Sequence, residues 1–203
     1  MKKINLFALL FCFLAAGSMT SCNSDSTEDN DVQTKADIQE AFAKVKGQYE
    51  GKIVYLDGNT TDGINDKEVA RVNCEIPNDS TLIIKYFPNK LLAMNIKNKA
   101  LKEALEAAED KDLVCRIGFI KKKPVEMIVN PVTPEFNLTF DNAQHKVLLP
   151  FFINNIYSFS RQMSADELLL QIIEAAVVVD GKVTKDLTTN NIFKLKLERL
   201  MIR

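Results

Sequence analysis

The sequence predicts an α+β fold, with a mainly antiparallel, strongly curved sheet or partial barrel and three or four flanking helices. Three observations predict it. Short apolar runs alternate with polar residues at a period of two, separated by Gly, Pro, Asn and Asp turns. Helical periodicity is confined to a few places, so no regular β-α-β order arises. No repeat of solenoid length is present.

The elements follow in order. Residues 36–47 form a short helix, because Ile38, Phe42 and Val45 share one face and Gly47 ends the pattern. Residues 52–56 (KIVYL) form a strand, and 57–66 (DGNTTDGIND) a polar loop. Residues 68–76 alternate as a strand, Pro77-Asn78-Asp79 turns the chain, and 80–87 (STLIIKYF) return. Pro88 opens a helical region. Within it Leu101, Ala104, Leu105 and Ala108 make the apolar stripe of a helix over 97–109. Strands follow at 112–121 and 125–129, joined at Lys122-Lys123-Pro124, then at 135–140, turning at Asp141-Asn142. Residues 145–152 (HKVLLPFF) are an apolar strand, with Pro150 at an edge or bend. Residues 155–161 make one more. Ser164-Ala165-Asp166-Glu167 has the spacing of a capping box and predicts a helix running to about residue 175. Asp180-Gly181 marks a hairpin within 177–183, and 192–202 (IFKLKLERLMI) close the chain as an alternating strand.

The N-terminal segment has a different origin. Lys2 and Lys3 precede an uncharged apolar run at 4–16, followed by Gly17, Ser18, Thr20 and Ser21. This is the order of a secretory signal, and the run is shorter than the ~20 residues of a spanning helix. Met19-Thr20-Ser21-Cys22 resembles a bacterial lipobox, with Met19 where Leu is commoner. The resemblance implies a signal peptide over 1–21 and a lipid on Cys22; ordinary secretion with cleavage near Ala16 is the alternative. Residues 22–34 carry four acids, no base and one aliphatic side chain, too little apolar surface to offset the entropy of ordering. They are expected to be a disordered tether. Residues 35–203 remain as a single domain with a sizeable core.

Composition excludes some partners. Removing residues 1–21 takes away Lys2 and Lys3 and no acid, leaving 24 basic and 27 acidic residues and a net charge of −3. Nucleic acid needs a concentrated basic face, which this balance does not provide. Of four cysteines, Cys12 leaves with the signal and Cys22 takes lipid. Cys74 and Cys115 lie in strand-like runs, where they either pair as a disulfide in an oxidising compartment or sit as two small buried hydrophobes.

Gly47-Gln48-Tyr49-Glu50-Gly51, directly after a short helix, resembles the Gly-x-aromatic start of the first strand in lipocalin-like barrels. The layout from lipobox to final alternating strand resembles small Bacteroidetes envelope lipoproteins with one uncharacterised domain. The acids after Cys22, at Ser24-Asp25, partly resemble the surface-export signal of such lipoproteins. Asp25-Ser26-Thr27 and Asp79-Ser80-Thr81 resemble their O-glycosylation motif, which makes Ser26, Thr27, Ser80 and Thr81 candidate modification sites. These resemblances imply an address on the cell envelope, at the outer membrane, on its periplasmic face or at the cell surface; they imply no activity.

No motif for catalysis, metal or cofactor emerges. His145 is the single histidine and is expected at a strand start. Neither a Gly-x-Ser-x-Gly elbow nor a Ser-x-x-Lys nor a Gly-rich phosphate loop occurs. Glu103, Glu106, Glu109 and Asp110 belong to the polar side of one helix rather than to two walls of a cleft. Asp57, Asn59, Thr61 and Glu68 match calcium-loop positions 1, 3, 5 and 12, yet Asp62 occupies the sixth position, where the loop requires Gly. Lys121, Lys122 and Lys123 either keep a strand edge soluble or touch an anionic surface. Phe87, Phe119, Phe136, Phe140, Phe151, Phe152, Tyr157 and Phe159 belong to the core or line a pocket. The expectation is a non-enzymatic, lipid-anchored module binding a small or polymeric ligand at a barrel mouth or concave sheet. The alternatives are an assembly lipoprotein that docks to another envelope protein, and an enzyme or enzyme inhibitor.

Overall fold

A computed structural model of the chain describes residues 31–32, 34–56 and 67–200. The signal segment, Cys22, Ser26, Thr27, most of the tether, the loop 57–66 and the last three residues lie outside the described residues.

The domain opens with α1 (Lys35–Val45). Thr34 caps it: its Oγ1 accepts from the Asp37 amide, and the Asp37 carboxylate accepts from the Thr34 amide at 2.9 Å. Three strands follow, β1 (Gly47–Leu56), β2 (Lys67–Asn78) and β3 (Thr81–Phe87). The helical region is two pieces, α2 (Asn89–Leu92) and α3 (Lys99–Glu106), shorter than the helix predicted over 97–109. Asn98 caps α3 by accepting from the Leu101 amide at 3.1 Å. Then come β4 (Lys111–Lys122), β5 (Val125–Pro131), β6 (Glu135–Phe140), β7 (Ala143–Leu148), β8 (Phe159–Gln162), β9 (Glu167–Ile173), β10 (Val178–Val179), β11 (Lys182–Val183) and β12 (Ile192–Arg199).

Eight strands close into a barrel in the order β1-β12-β9-β8-β5-β4-β3-β2, every pair antiparallel. Along the chain this is an up-and-down meander with two insertions. The insertions, β6–β7 and β10–β11, join as a second sheet in the order β11-β10-β7-β6. The predicted partial barrel is therefore a complete one. Its hairpin turns follow local chemistry: Asp141 and Asn142 have φ of 49° and 61°, and Asp180 and Gly181 have 49° and 77°, the positive values a tight two-residue hairpin requires.

Closure depends on β1 and β12, paired from Tyr49–Arg199 to Leu56–Ile192. Gly51 sits where they press closest: a Cβ there would lie 2.3 Å from the Lys196 carbonyl oxygen. Only glycine lets β1 bend this tightly against its partner. At the same seam Arg199 lies over the Tyr49 ring, 5.5 Å from its centroid, and donates to the Tyr49 hydroxyl and the Lys44 carbonyl. The Tyr49 hydroxyl donates to the Val45 carbonyl at 2.6 Å. The aromatic residue of the first strand thus ties the last strand to the end of α1.

The lumen is solid. Alternate residues point inward, as in Leu113, Cys115, Ile117 and Phe119 of β4 or Leu168, Leu170 and Ile172 of β9, and all are buried. An eight-stranded barrel encloses just enough space for such side chains to fill. One apolar cluster runs from Ala41 and Val45 of α1, through the lumen, to Leu91, Leu101, Leu105, Phe136 and Val147 at the other end. Each fully buried Leu or Ile contributes about 2 kcal/mol of transfer free energy. Both ends of the barrel are thereby covered, one by α1 and the other by α2, α3 and the second sheet.

Two expectations are corrected, and one pair of alternatives is decided. The capping-box helix at 164–175 is instead β9: Ser164 Oγ accepts only from the Asp166 amide in a turn, and the next residues pair with β8 on one side and β12 on the other. Leu168, Leu170 and Ile172 bury at a period of two, which a helix does not permit. The strand predicted at 155–161 shrinks to β8, because Asn154 folds the preceding residues into a turn. Cys74 and Cys115 are free buried thiols rather than a disulfide. They lie on β2 and β4 with β3 between them, two strand spacings or ~10 Å apart, beyond the ~7 Å that a disulfide spans.

Candidate functional site

The end of the barrel beside α2 holds a buried polar cluster. Glu174 follows β9 and Asn191 precedes β12, so strand pairing sets them side by side; the Glu174 amide donates to the Asn191 carbonyl. Asn191 Nδ2 donates to Glu174 Oε2 at 2.6 Å, and Asn95 Nδ2 donates to Asn191 Oδ1 at 2.8 Å. Glu174 Oε1 is buried without a hydrogen-bond partner. Burial pushes the Glu174 carboxyl up to about 8, although the Asn191 amide pulls the other way. At neutral pH this side chain is chiefly a neutral acid. Full enclosure keeps it from any solute, so its action is structural: it holds Asn191, whose amide also donates to the Leu92 carbonyl, and so links the end of β9 to the start of β12 and to α2.

His145 lies within β7 rather than at its start, half-buried and stacked on Phe140 with ring centroids 4.2 Å apart. Its Nδ1 is 2.8 Å from Asp180 Oδ2 in the β10–β11 turn. The hydrogen bond from His145, then that from the Lys146 amide, hold the Asp180 carboxyl below its usual range. This pair has the orienting half of an acyl-transfer triad, but no serine, threonine or cysteine bonds to His145 among the described residues. The pair instead fastens the two insertions together. Burial pushes the Cys74 thiol up to about 12 and raises that of Cys115 as well, so neither is a thiolate nucleophile.

The other sequence candidates are dispersed. Ser80 is exposed at the β2–β3 turn, where its amide and hydroxyl both donate to Asn78 Oδ1, and Thr81 is half-buried beside it. Glu103 faces Lys99 across one turn of α3, and Asp110 accepts from the Asn89 amide at 2.7 Å, so these acids do not oppose each other over a cleft. Among the described residues no three His, Cys, Asp or Glu side chains gather as a metal site. Phe87, Phe119, Phe136 and Phe151 are core, whereas Phe140, Phe152 and Phe159 are half-buried and Tyr157 is exposed.

Among the grooves of the described surface, two lie on opposite walls of the barrel. One, of about 430 Å³, crosses β2, β1 and β12. The strand register arranges its walls in rows: Arg71, Lys52 and Lys196 are direct cross-strand neighbours, and so are Asn73, Glu50 and Glu198. A basic row therefore runs beside an acidic and amide row, which suits a neutral, richly hydroxylated ligand better than a strong anion. The second groove, of about 260 Å³, lies on the opposite wall over β5 and β8, between Ile120, Asn155 and the Glu126–Arg161 ion pair. Sequence reasoning missed both, because each is made by residues that only register brings together.

No curated protein and no solved structure matches the chain. Residues 44–179 match the family model described as a domain of unknown function, DUF4840. The matched span starts at the end of α1 and stops before β12, the strand that closes the barrel. With about two thirds of its length matched, the chain belongs to the DUF4840 family.

Proposed function

We propose that this chain is a lipid-anchored protein of the cell envelope, held at the outer membrane through Cys22, whose barrel is a non-enzymatic module binding a small or polymeric ligand on its outer wall. The anchor rests on the signal order and on Met19-Thr20-Ser21-Cys22. The binding mode rests on one observation: the lumen is packed with apolar side chains and covered at both ends, while the wall of β2, β1 and β12 carries an open groove of paired charged rows. This moves the expected site from the barrel mouth to the outside. The Gly-Gln-Tyr start of β1, with Tyr49 buried in the closure seam, supports kinship of architecture with lipocalin-like barrels without their hollow interior.

Thermal melting with candidate ligands tests this, because a ligand of the native state raises Tm. Neutral oligosaccharides are expected to raise it, and Glu50→Gln with Glu198→Gln to abolish the rise. Fatty acids and haem are expected to leave Tm unchanged; a rise with either would mean that the lumen opens and would overturn the outer-wall site.

A further inference from the structure

The second groove adjoins an apolar loop that is held open to solvent. Residues 152–157 are fixed by Asn154, whose Oδ1 accepts from the amides of Ile156 and Tyr157, both at 3.0 Å. Its carbonyl accepts from the Ser158 amide at 2.8 Å. The Ser158 hydroxyl donates to the Phe152 carbonyl, and Phe152 packs on Tyr157 with centroids 4.9 Å apart. This set of bonds orders the backbone yet leaves Ile153 67%, Ile156 71% and Tyr157 42% exposed. Two isoleucines displayed on an ordered turn are an unfavourable use of surface unless something covers them.

What covers them follows from where the chain arrives. Asn155 shares the groove with Ile120, and the Ile120 carbonyl accepts from the Val32 amide at 3.1 Å. The Asp31 backbone makes an isolated antiparallel β-bridge with Lys121, whose ammonium is 3.6 Å from Glu126. The described chain therefore begins at the rim of this groove. Between Asp31 and Cys22 lie nine peptide links, at most ~30 Å when fully extended. A lipid on Cys22 therefore tethers the chain from the side of this wall. Lys123, exposed at the β4–β5 hairpin, adds a positive charge near the same rim.

We propose that the loop 152–157, together with Lys121 and Lys123, is a membrane-contacting face that seats on the bilayer surface. Ile153 and Ile156 enter the boundary between headgroups and acyl chains, Tyr157 lies at headgroup level, and the lysines face lipid phosphates. The inference rests on the anchoring of Cys22 and adds to it a fixed orientation, with the charged groove of β1 directed away from the membrane.

The chain contains no tryptophan, so a single introduced one reports its own surroundings. The full lipidated chain carrying Ile156→Trp is reconstituted into phosphatidylethanolamine–phosphatidylglycerol vesicles with brominated acyl chains. Val183→Trp, at a 73% exposed site on the edge strand of the second sheet, is the reference. Trp at 156 is expected to emit to the blue and to be quenched at least about twofold by brominated lipid. Trp at 183 is expected to show neither effect, and both variants to keep the parent Tm. Water-like emission at 156 from chains that float with the vesicles overturns the proposal while leaving the anchor intact. A blue shift without quenching also overturns it, by showing that a second copy or another protein covers the loop. Failure to float shows that Cys22 is not lipidated, and both readings then fall.

Discussion

Glu174 shows how one side chain can carry a pH dependence that no motif announces. Its carboxyl moves from 4.5 to about 8 because the folded chain removes it from water and offers one amide in return. The native state therefore holds this proton more tightly than the unfolded chain. Its contribution is fully present below pH 4.5 and is lost as pH rises towards 8. Melting measured from pH 5 to 9 is expected to show stability falling across this window. Glu174→Gln, which keeps the bond from Asn191, should flatten that slope and leave the variant more stable than the parent at pH 9, by on the order of a few kcal/mol. An unchanged slope would mean that another group carries the dependence. Nothing in the sequence around Glu174 signals this role. The partners are 17 and more residues away, with Asn95 reaching Asn191 across 96 residues, so only the closed barrel assembles them.

At the scale of the element, β9 and β1 illustrate opposite relations between local signal and outcome. The Ser164–Glu167 spacing is a real helix-start pattern, and Leu168 to Ile173 is apolar enough for either structure. The strand wins because β8 and β12 need a partner between them, and backbone pairing over seven residues with β12 and four with β8 outweighs a local cap. In β1 the local signal is a glycine, and its meaning is geometric. Gly51→Ala places a methyl against the Lys196 carbonyl and the Leu197 side chain, both tightly held. We expect a loss of at least ~3 kcal/mol in chemical denaturation, well above the ~1 kcal/mol typical of a surface substitution. A near-neutral Gly51→Ala would show that the β1–β12 seam is looser than this geometry.

For the whole molecule, closure is the organising fact. The family match ends at Val179, yet β12 lies between β1 and β9 and contributes Phe193, Leu195 and Leu197 to the lumen. A chain ending after Val179 leaves two open strand edges and an unfilled core. It is expected to lose cooperative unfolding by calorimetry and to aggregate; a sharp transition in this fragment would show that the remaining strands form a domain without β12.

The sequence by itself determined most strands, the opening helix, the two tight turns and the segregation of helices from sheet, because period-two burial and turn chemistry are local properties. The alternating Leu, Ile and Phe left open whether the lumen was filled or hollow, and the closed barrel fills it. Only the tertiary structure decided that the sheet closes, that residues 167–173 are a strand, that Cys74 and Cys115 stay apart, and that the charged rows and the exposed isoleucines lie on opposite walls. Those outcomes depend on register between distant segments, and register is set by how the entire barrel packs rather than by any single stretch of chain.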